Sequence, residues 1–270
     1  MEKTHGRKES LLSLKAKVVI GKTVIQDGFD QYSKPAIVWS GGKDSSVVLH
    51  IARTVSEELG SKTPPVIFID HGDHFPETFE FIKRVETDWK LRLLVGKNTD
   101  LLGRSRDGQV KVSELNDENR YELKKLGYRM DSIAASLDTV EGNHLLKTVV
   151  MNNILKRYRF DCLLTGVRWD ENPARSGESF MSARHNPDHI RVHPVLHFLE
   201  RDIWKYIQTF EIPFHPLYSQ GYRSIDGVHD STKTGNNPAW EQDLDLTDER
   251  GGRSKEKEDL MTKMRSMGYM

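Results

Sequence analysis

Cysteine is nearly absent: Cys162 stands alone among 270 residues. One thiol closes no disulfide within the chain and builds no cysteine-based metal or iron–sulfur centre from this chain alone. Net charge is missing too. Forty lysines and arginines balance forty aspartates and glutamates, so no global field recommends nucleic acid or an anionic membrane as the main partner. No stretch approaches the roughly 18 apolar residues of a membrane span, and the charged residues 1–10 lack the apolar core of a secretory signal. Internal repeats and low-complexity tracts are also lacking. The expectation is a soluble, cytoplasmic protein with one sizeable α/β domain and appendages.

What the chain does have is Pro35-Ala36-Ile37-Val38-Trp39-Ser40-Gly41-Gly42-Lys43-Asp44-Ser45-Ser46. An apolar run, a glycine turn and an amphipathic segment predict a strand, a loop and a helix. That geometry aims backbone N–H groups and a helix N-terminus at one point and suits a phosphate. Gly41 and Gly42 permit conformations and close approach that a side chain would block. Lys43 adds positive charge, and Ser40, Ser45 and Ser46 add hydroxyls.

In chain order, apolar spacing over residues 11–25 predicts an N-terminal helix, interrupted at Gly21. Strands follow at 37–39, 66–69 and 91–95, separated by a helix over 45–58 and another opened by Pro76. The polar stretch 97–142 reads as an insertion or lid, helical near 118–125 and without an assignable strand. A helix over 143–158, a strand at 161–164, a polar loop over 171–188, a strand at 190–195 and a helix over 199–211 complete the pattern. Alternating strands and helices predict a three-layer α/β fold with a doubly wound, mostly parallel sheet, whose ligands gather at the carboxyl ends of the strands. The expected division is an N-terminal helical segment, 1–34, the α/β domain, 35–217, and an irregular tail, 218–270, with a short helix over 255–267.

Other residues carry blander readings. His71, His74, His185, His189, His193, His197 and His215 show no compact ligand spacing on a helix and are expected at surfaces and turns. Trp204, with Ile203 and Ile207, reads as core. Cys162 falls within a predicted core strand, where a thiol behaves as a small apolar group.

Ser40-Gly41-Gly42-Lys43-Asp44-Ser45 departs from the kinase-type loop G-x-x-x-x-G-K-[ST] and resembles the pyrophosphate loop of the ATP pyrophosphatase superfamily. Further on, the strand ending in Asp70, Tyr158-Arg159-Phe160-Asp161, Thr165-Gly166-Val167-Arg168-Trp169-Asp170-Glu171 with Arg175, Val192-His193-Pro194-Val195 and Pro216-Leu217-Tyr218 are similar to the phosphoadenylyl-sulfate reductase family. That family includes the reductases and the small subunit of the heterodimeric sulfate adenylyltransferase. The resemblance implies an adenine nucleotide alpha hydrolase-like fold and a site for ATP and Mg²⁺. Ser40, Gly41, Gly42, Lys43, Asp44, Ser45, Ser46, Asp70, Gly166 and Arg168 would lie at the nucleotide. Lys43, Asp44 and Arg168 would act in catalysis, Asp44 beside the metal, and Arg175 and Arg184 would hold an acceptor oxyanion.

Reductases of this family need a nucleophilic cysteine near the C-terminus, and many carry a cluster; residues 221–230 look like that segment with its cysteines replaced. The chemistry the resemblance leaves is nucleotidyl transfer: AMP passes from ATP to a small oxyanion, with sulfate, and so sulfate assimilation, the first expectation. The alternatives are a sulfonucleotide reductase that borrows a partner's thiol and a non-catalytic adenine-nucleotide sensor. A GTPase subunit or a second copy of the chain is the implied partner. Glu249-Arg250-Gly251-Gly252-Arg253, with Gly268-Tyr269 beyond, is similar to an element of the adenylyltransferase small subunit and implies a partner-binding or site-closing role.

Overall fold

The computed structural model describes residues 12–172, 175–247 and 249. Eight short strands occur among them: β1 (Pro35–Val38), β2 (Val66–Ile69), β3 (Leu93–Gly96), β4 (Gln109–Lys111), β5 (Ser132–Ala134), β6 (Cys162–Leu164), β7 (Met181–Arg184) and β8 (His189–Val192). Six form one sheet in the order β3-β2-β1-β6-β8-β7. All neighbours are parallel except β7, which runs antiparallel to β8. The chain winds outward from β1 through β2 to β3, then returns to the other side of β1 with β6. The switch point therefore lies between β1 and β6, where open α/β sheets leave a crevice.

Alternation along the strands divides two cores. Ile37, Val66 and Phe68 face one layer, which packs α1 (Leu14–Gln31), α2 (Lys43–Glu58), α3 (Pro76–Asp88) and, late in the chain, the helix Glu200–Thr209. Ala36, Ile67 and Leu163 face the opposite layer with Val150, Ile154 and Leu155. The period of two makes each strand serve both layers. In chain order α4 (Thr99–Arg104), α5 (Asp117–Lys125) and α6 (Val140–Asn143) follow β3; one continuous run then carries α6 through a π-helical stretch, His144–Val149, into α7 (Val150–Tyr158). The Glu200–Thr209 helix is α8.

The expected three-layer, mainly parallel fold is present, with local differences. Gly21 does not break α1. An added Cβ there would meet the Pro194 carbonyl oxygen at 3.0 Å, so glycine lets the helix lie against that connection. The buried face runs through Lys17, Gly21, Val24, Ile25 and Gly28, leaving Val19 exposed, because Lys17 is held by Asp202 of α8 at 2.5 Å.

Stretch 97–142 contains two strands where none was expected. β4 and β5 pair antiparallel, and each offers a single buried apolar residue, Val110 or Ile133, too little for a periodic signal. Both join Leu101, Leu115, Leu123 and Leu145 in a small separate core. β7 likewise lies inside the expected polar loop 171–188. It is an edge strand with no fully buried residue, so its sequence reads as loop.

The tail is irregular in backbone but not loose. Tyr218, Arg223 and Ala239 are buried, and two short 3₁₀ turns, Pro216–Gln220 and Ala239–Glu241, pack together. The helix expected over 255–267 lies outside the described residues. The histidines also differ from expectation: His71, His189, His193, His197 and His215 are buried, and His185 is exposed. At least one ring nitrogen of each buried ring finds a partner, in one case a distant one: His197 Nε2 donates to the Lys17 carbonyl at 3.0 Å. No helix among the described residues is long and apolar enough to cross a membrane.

Candidate functional site

The connection from β1 into α2 supplies the first part of the site. Gly41 takes φ +79°, a left-handed turn where a side chain would be strained, while an added Cβ would make only ordinary contact with Ile82 and Phe81. Gly42 is the N-cap of α2 and provides no side-chain acceptor. The positive end of the helix dipole is therefore left for another partner, while Gly42 N–H donates to Ser40 Oγ at 3.3 Å. Lys43 N–H donates to the Tyr218 hydroxyl at 3.0 Å. Ser45 Oγ donates to the Gly42 carbonyl at 2.9 Å, and Ser46 Oγ accepts from Trp39 Nε1 at 2.9 Å, which turns Ser46 into the core. Ser40 is exposed.

The β6 connection closes against this loop. Gly166 lies so near α2 that an added Cβ would stand 2.7 Å from Ser45 N and 2.8 Å from the Asp44 carbonyl carbon. Two residues on, Arg168 is fully buried and pairs with Asp170 at 2.8 Å and with Asp44 and Glu249. Lys43, 1% exposed, turns inward too. Its Nζ contacts Glu249, the Arg223 carbonyl at 3.2 Å, Asp44 at 3.3 Å and Glu200 at 3.9 Å. Arg223 in turn pairs with Glu200 at 2.5 Å.

This cluster is dense in charge. Burial opposes the Lys43 and Arg168 cations, but the facing carboxylates prevail and hold both pKa values above their ordinary range. Burial likewise opposes the Glu249 anion, and Arg168 and Lys43 outweigh it, holding that carboxyl well below the usual range. Glu200, whose burial is the larger effect, is pushed up.

Beside the loop opens a cavity of about 450 Å³, reached by Ser40 and Val167 from the loop side. One wall carries His71 and His74, with ring centroids 3.7 Å apart, and Lys147, paired with Asp226 of the tail at 2.9 Å. The other wall carries Arg175 and Arg184, which pair with Glu171 and Glu178. Asp70, at the end of β2, accepts from Gly72 N–H at 3.0 Å and from Lys97 at 2.8 Å.

Most of the expected residues fall into two groups, with Asp70 bound to Lys97 and Ser46 turned to the core in neither. Lys43, Asp44, Gly166 and Arg168 gather at the buried charge cluster, with Ser45 in the adjoining turn; Ser40, Arg175 and Arg184 line the open cavity. Glu200, Glu249, Arg223, Asp170 and Tyr218 complete the cluster and were not singled out as site residues. Asp170 and Tyr218 stand in segments that carry the family resemblance, Arg223 in the 221–230 segment and Glu249 in the Glu-Arg element of the tail, while Glu200 carries no such signal. As for Mg²⁺, Asp44 already directs one oxygen to Arg168 and the other to Lys43, and no group of three or more possible ligands occurs among the described residues. Asp44 is thus engaged with the two cations, and no step below runs through Mg²⁺.

The chain is similar to known proteins in sequence and in fold. The phosphoadenosine 5′-phosphosulfate reductase of Xylella fastidiosa strain M12 is 27% identical over 197 residues, covering 72% of this chain and 71% of that protein. Sulfate adenylyltransferase subunit 2 of Brucella anthropi is 30% identical over 217 residues, covering 72% of this chain and 62% of that protein. Yeast FAD synthetase superposes with a TM-score of 0.62 at 15% identity, covering 93% of this chain and 96% of that one, a likeness of fold. The family model for the phosphoadenosine phosphosulfate reductase domain matches residues 34–233, from the strand before the glycine loop to the packed tail, and the chain belongs to that family.

Proposed function

We propose that the chain binds ATP with its triphosphate at the α2 N-terminus and transfers AMP to a small anion held in the adjoining cavity. The observation that carries this reading is the continuity of the two parts. Ser40 of the glycine loop lines the same cavity as Arg175 and Arg184. An acceptor oxygen would attack the α-phosphorus as the bond to the α–β bridging oxygen breaks, and pyrophosphate would leave with the electron pair. Such a reaction asks mainly for positioning and for positive charge around the departing phosphates. The N-terminal end of α2, Lys43 and Arg168 would supply that charge once the phosphates take the place of Glu249. Sulfate is the first acceptor to try, on the likeness to the adenylyltransferase subunit.

Thiol-dependent reduction is the second reading, favoured by the likeness to the Xylella reductase. Cys162 does not supply its nucleophile: it is fully buried, and burial pushes its thiol up to about 12. A partner would have to bring one. Incubation with ATP, Mg²⁺ and sulfate or other oxyanions, alone and with a GTPase subunit, should release pyrophosphate. Silence with every acceptor rejects adenylyl transfer; sulfite release from a sulfonucleotide with a thiol donor turns the assignment to reduction. Tight ATP binding without turnover points instead to a sensor.

A further inference from the structure

Lys43 has no hydrogen to spare for a phosphate. Its Nζ stands among Glu249, the Arg223 carbonyl at 3.2 Å, Asp44 at 3.3 Å and Glu200 at 3.9 Å, four acceptors for three hydrogens. Arg168 is engaged as well, directing Nε to Asp170, Nη1 to Asp44 and Nη2 to Glu249. An anion that arrives at this cluster must therefore replace a carboxylate.

Three of the four carboxylates are built into the fold. Asp44 lies in the first turn of α2. Glu200 lies in the first turn of α8 and pairs with Arg223, while Asp170 accepts from Arg168 Nε at 2.8 Å and from the Glu200 N–H at 2.8 Å. Glu249 alone stands outside every helix and strand. The last anchor before it among the described residues is Thr247, whose hydroxyl accepts from Arg223 at 2.5 Å and whose carbonyl accepts from the same guanidinium at 3.4 Å. Two residues of extended chain reach about 7 Å, so Glu249 can leave the cations while the packed tail stays in place. Its departure leaves Lys43, Arg168 and Arg223 facing Asp44, Asp170 and Glu200, a balanced set.

We infer, resting on the reading of the α2 N-terminus as the triphosphate site, that Glu249 is a tethered competitor that regulates it. The carboxylate bridges Lys43 and Arg168 when the site is empty, and a polyphosphate that takes both cations swings it out about Thr247. Occupancy of the site thus sets whether the chain is pinned at Glu249. A carboxylate on so short a tether competes at high effective concentration. The coupling is reciprocal: whatever draws Glu249 away raises phosphate affinity by the same factor.

Trypsin reads this directly, because Arg250 follows Glu249 in the sequence. The protease grips residues on both sides of the bond it cuts, so cleavage after Arg250 requires Glu249 out of the cluster and tracks the released fraction. With the full chain, saturating pyrophosphate at matched ionic strength should accelerate that cut about tenfold, followed by mass spectrometry. Glu249→Gln keeps the length and loses the charge. It should be cut at the accelerated rate without pyrophosphate and gain little from adding it. By linkage, calorimetry should find pyrophosphate bound more tightly by Glu249→Gln, by the factor that accelerates cleavage of the unaltered chain. Pyrophosphate that binds without changing the cleavage rate would overturn the inference and leave the phosphate site standing. Equal acceleration in Glu249→Gln would overturn it too, by assigning the effect elsewhere. No pyrophosphate binding to either chain would reject both the inference and the triphosphate reading beneath it.

Discussion

Lys43 and Arg168 share one carboxylate: Glu249 Oε1 lies on Lys43 Nζ, and its Oε2 on Arg168 Nη2. The two cations proposed to hold pyrophosphate are thus occupied by an anion from the tail. Without Glu249, Lys43, Arg168 and Arg223 still face Asp44, Asp170 and Glu200, three charges against three. Glu249→Gln should therefore fold, lose about 1–3 kcal/mol of stability from the broken charged hydrogen bonds, and bind pyrophosphate about tenfold more tightly. Thermal melts and calorimetry would read both effects. Unchanged or weakened pyrophosphate affinity would show that Glu249 does not compete with phosphate.

Gly166 offers a geometric test. An alanine methyl would stand 2.7 Å from Ser45 N, inside any tolerable contact, and what it meets is backbone. The first turn of α2 must move, and the N–H groups aimed at the phosphates move with it. Gly166→Ala should lose about 1–3 kcal/mol of stability and at least about tenfold in pyrophosphate affinity. Gly177→Ala, with nothing within 4 Å of the added methyl, is the control and should leave binding unchanged.

The reach of sequence reasoning in this chain follows from the range of each interaction. β1, the glycine loop and α2 were legible because an apolar run, a turn and an apolar face succeed one another within twenty-odd residues. β7 was not, since an edge strand with no fully buried residue leaves no alternation to read. The same holds for buried charge. Arg168 could be placed from its motif, but the match of Lys43 with Glu200 and Glu249 joins segments that only the fold brings together. Buried histidines are illegible for a like reason: His197 Nε2 finds a carbonyl of α1, and nothing near it in sequence announces that partner.

Cys162 separates the two enzymatic readings by reactivity. Its sulfur lies beneath Gly28 of α1, in ordinary contact with the place a Cβ would fill, and its pKa is pushed up to about 12 by burial and then by Asp161. Little thiolate exists near neutrality. Iodoacetamide should leave the folded chain unlabelled and label it fully in denaturant, and Cys162→Ala should leave turnover unchanged. Rapid native labelling, or loss of turnover in Cys162→Ala assayed with a folded control, would return the thiol to consideration.

Acid should destabilise the fold through its buried histidines. Burial lowers His197 and His215 to about 4, against 6.5 for the exposed side chain. His215 Nδ1 accepts from Leu217 N–H at 3.3 Å, and the Nε2 nitrogen meets Thr78 Oγ1 at 3.0 Å, so the neutral ring is the one the site satisfies. Because the folded pKa lies below the unfolded one, the unfolded chain takes up protons first as pH falls. The stability each neutral histidine preserves is complete above about pH 6.5 and is lost progressively toward pH 4, at no more than about 1.4 kcal/mol per pH unit per histidine. Denaturant unfolding between pH 7 and pH 5 should show a falling midpoint. In His215→Gln the slope should be shallower by one histidine's share. A flat profile across that range would mean that these rings are not held neutral by burial.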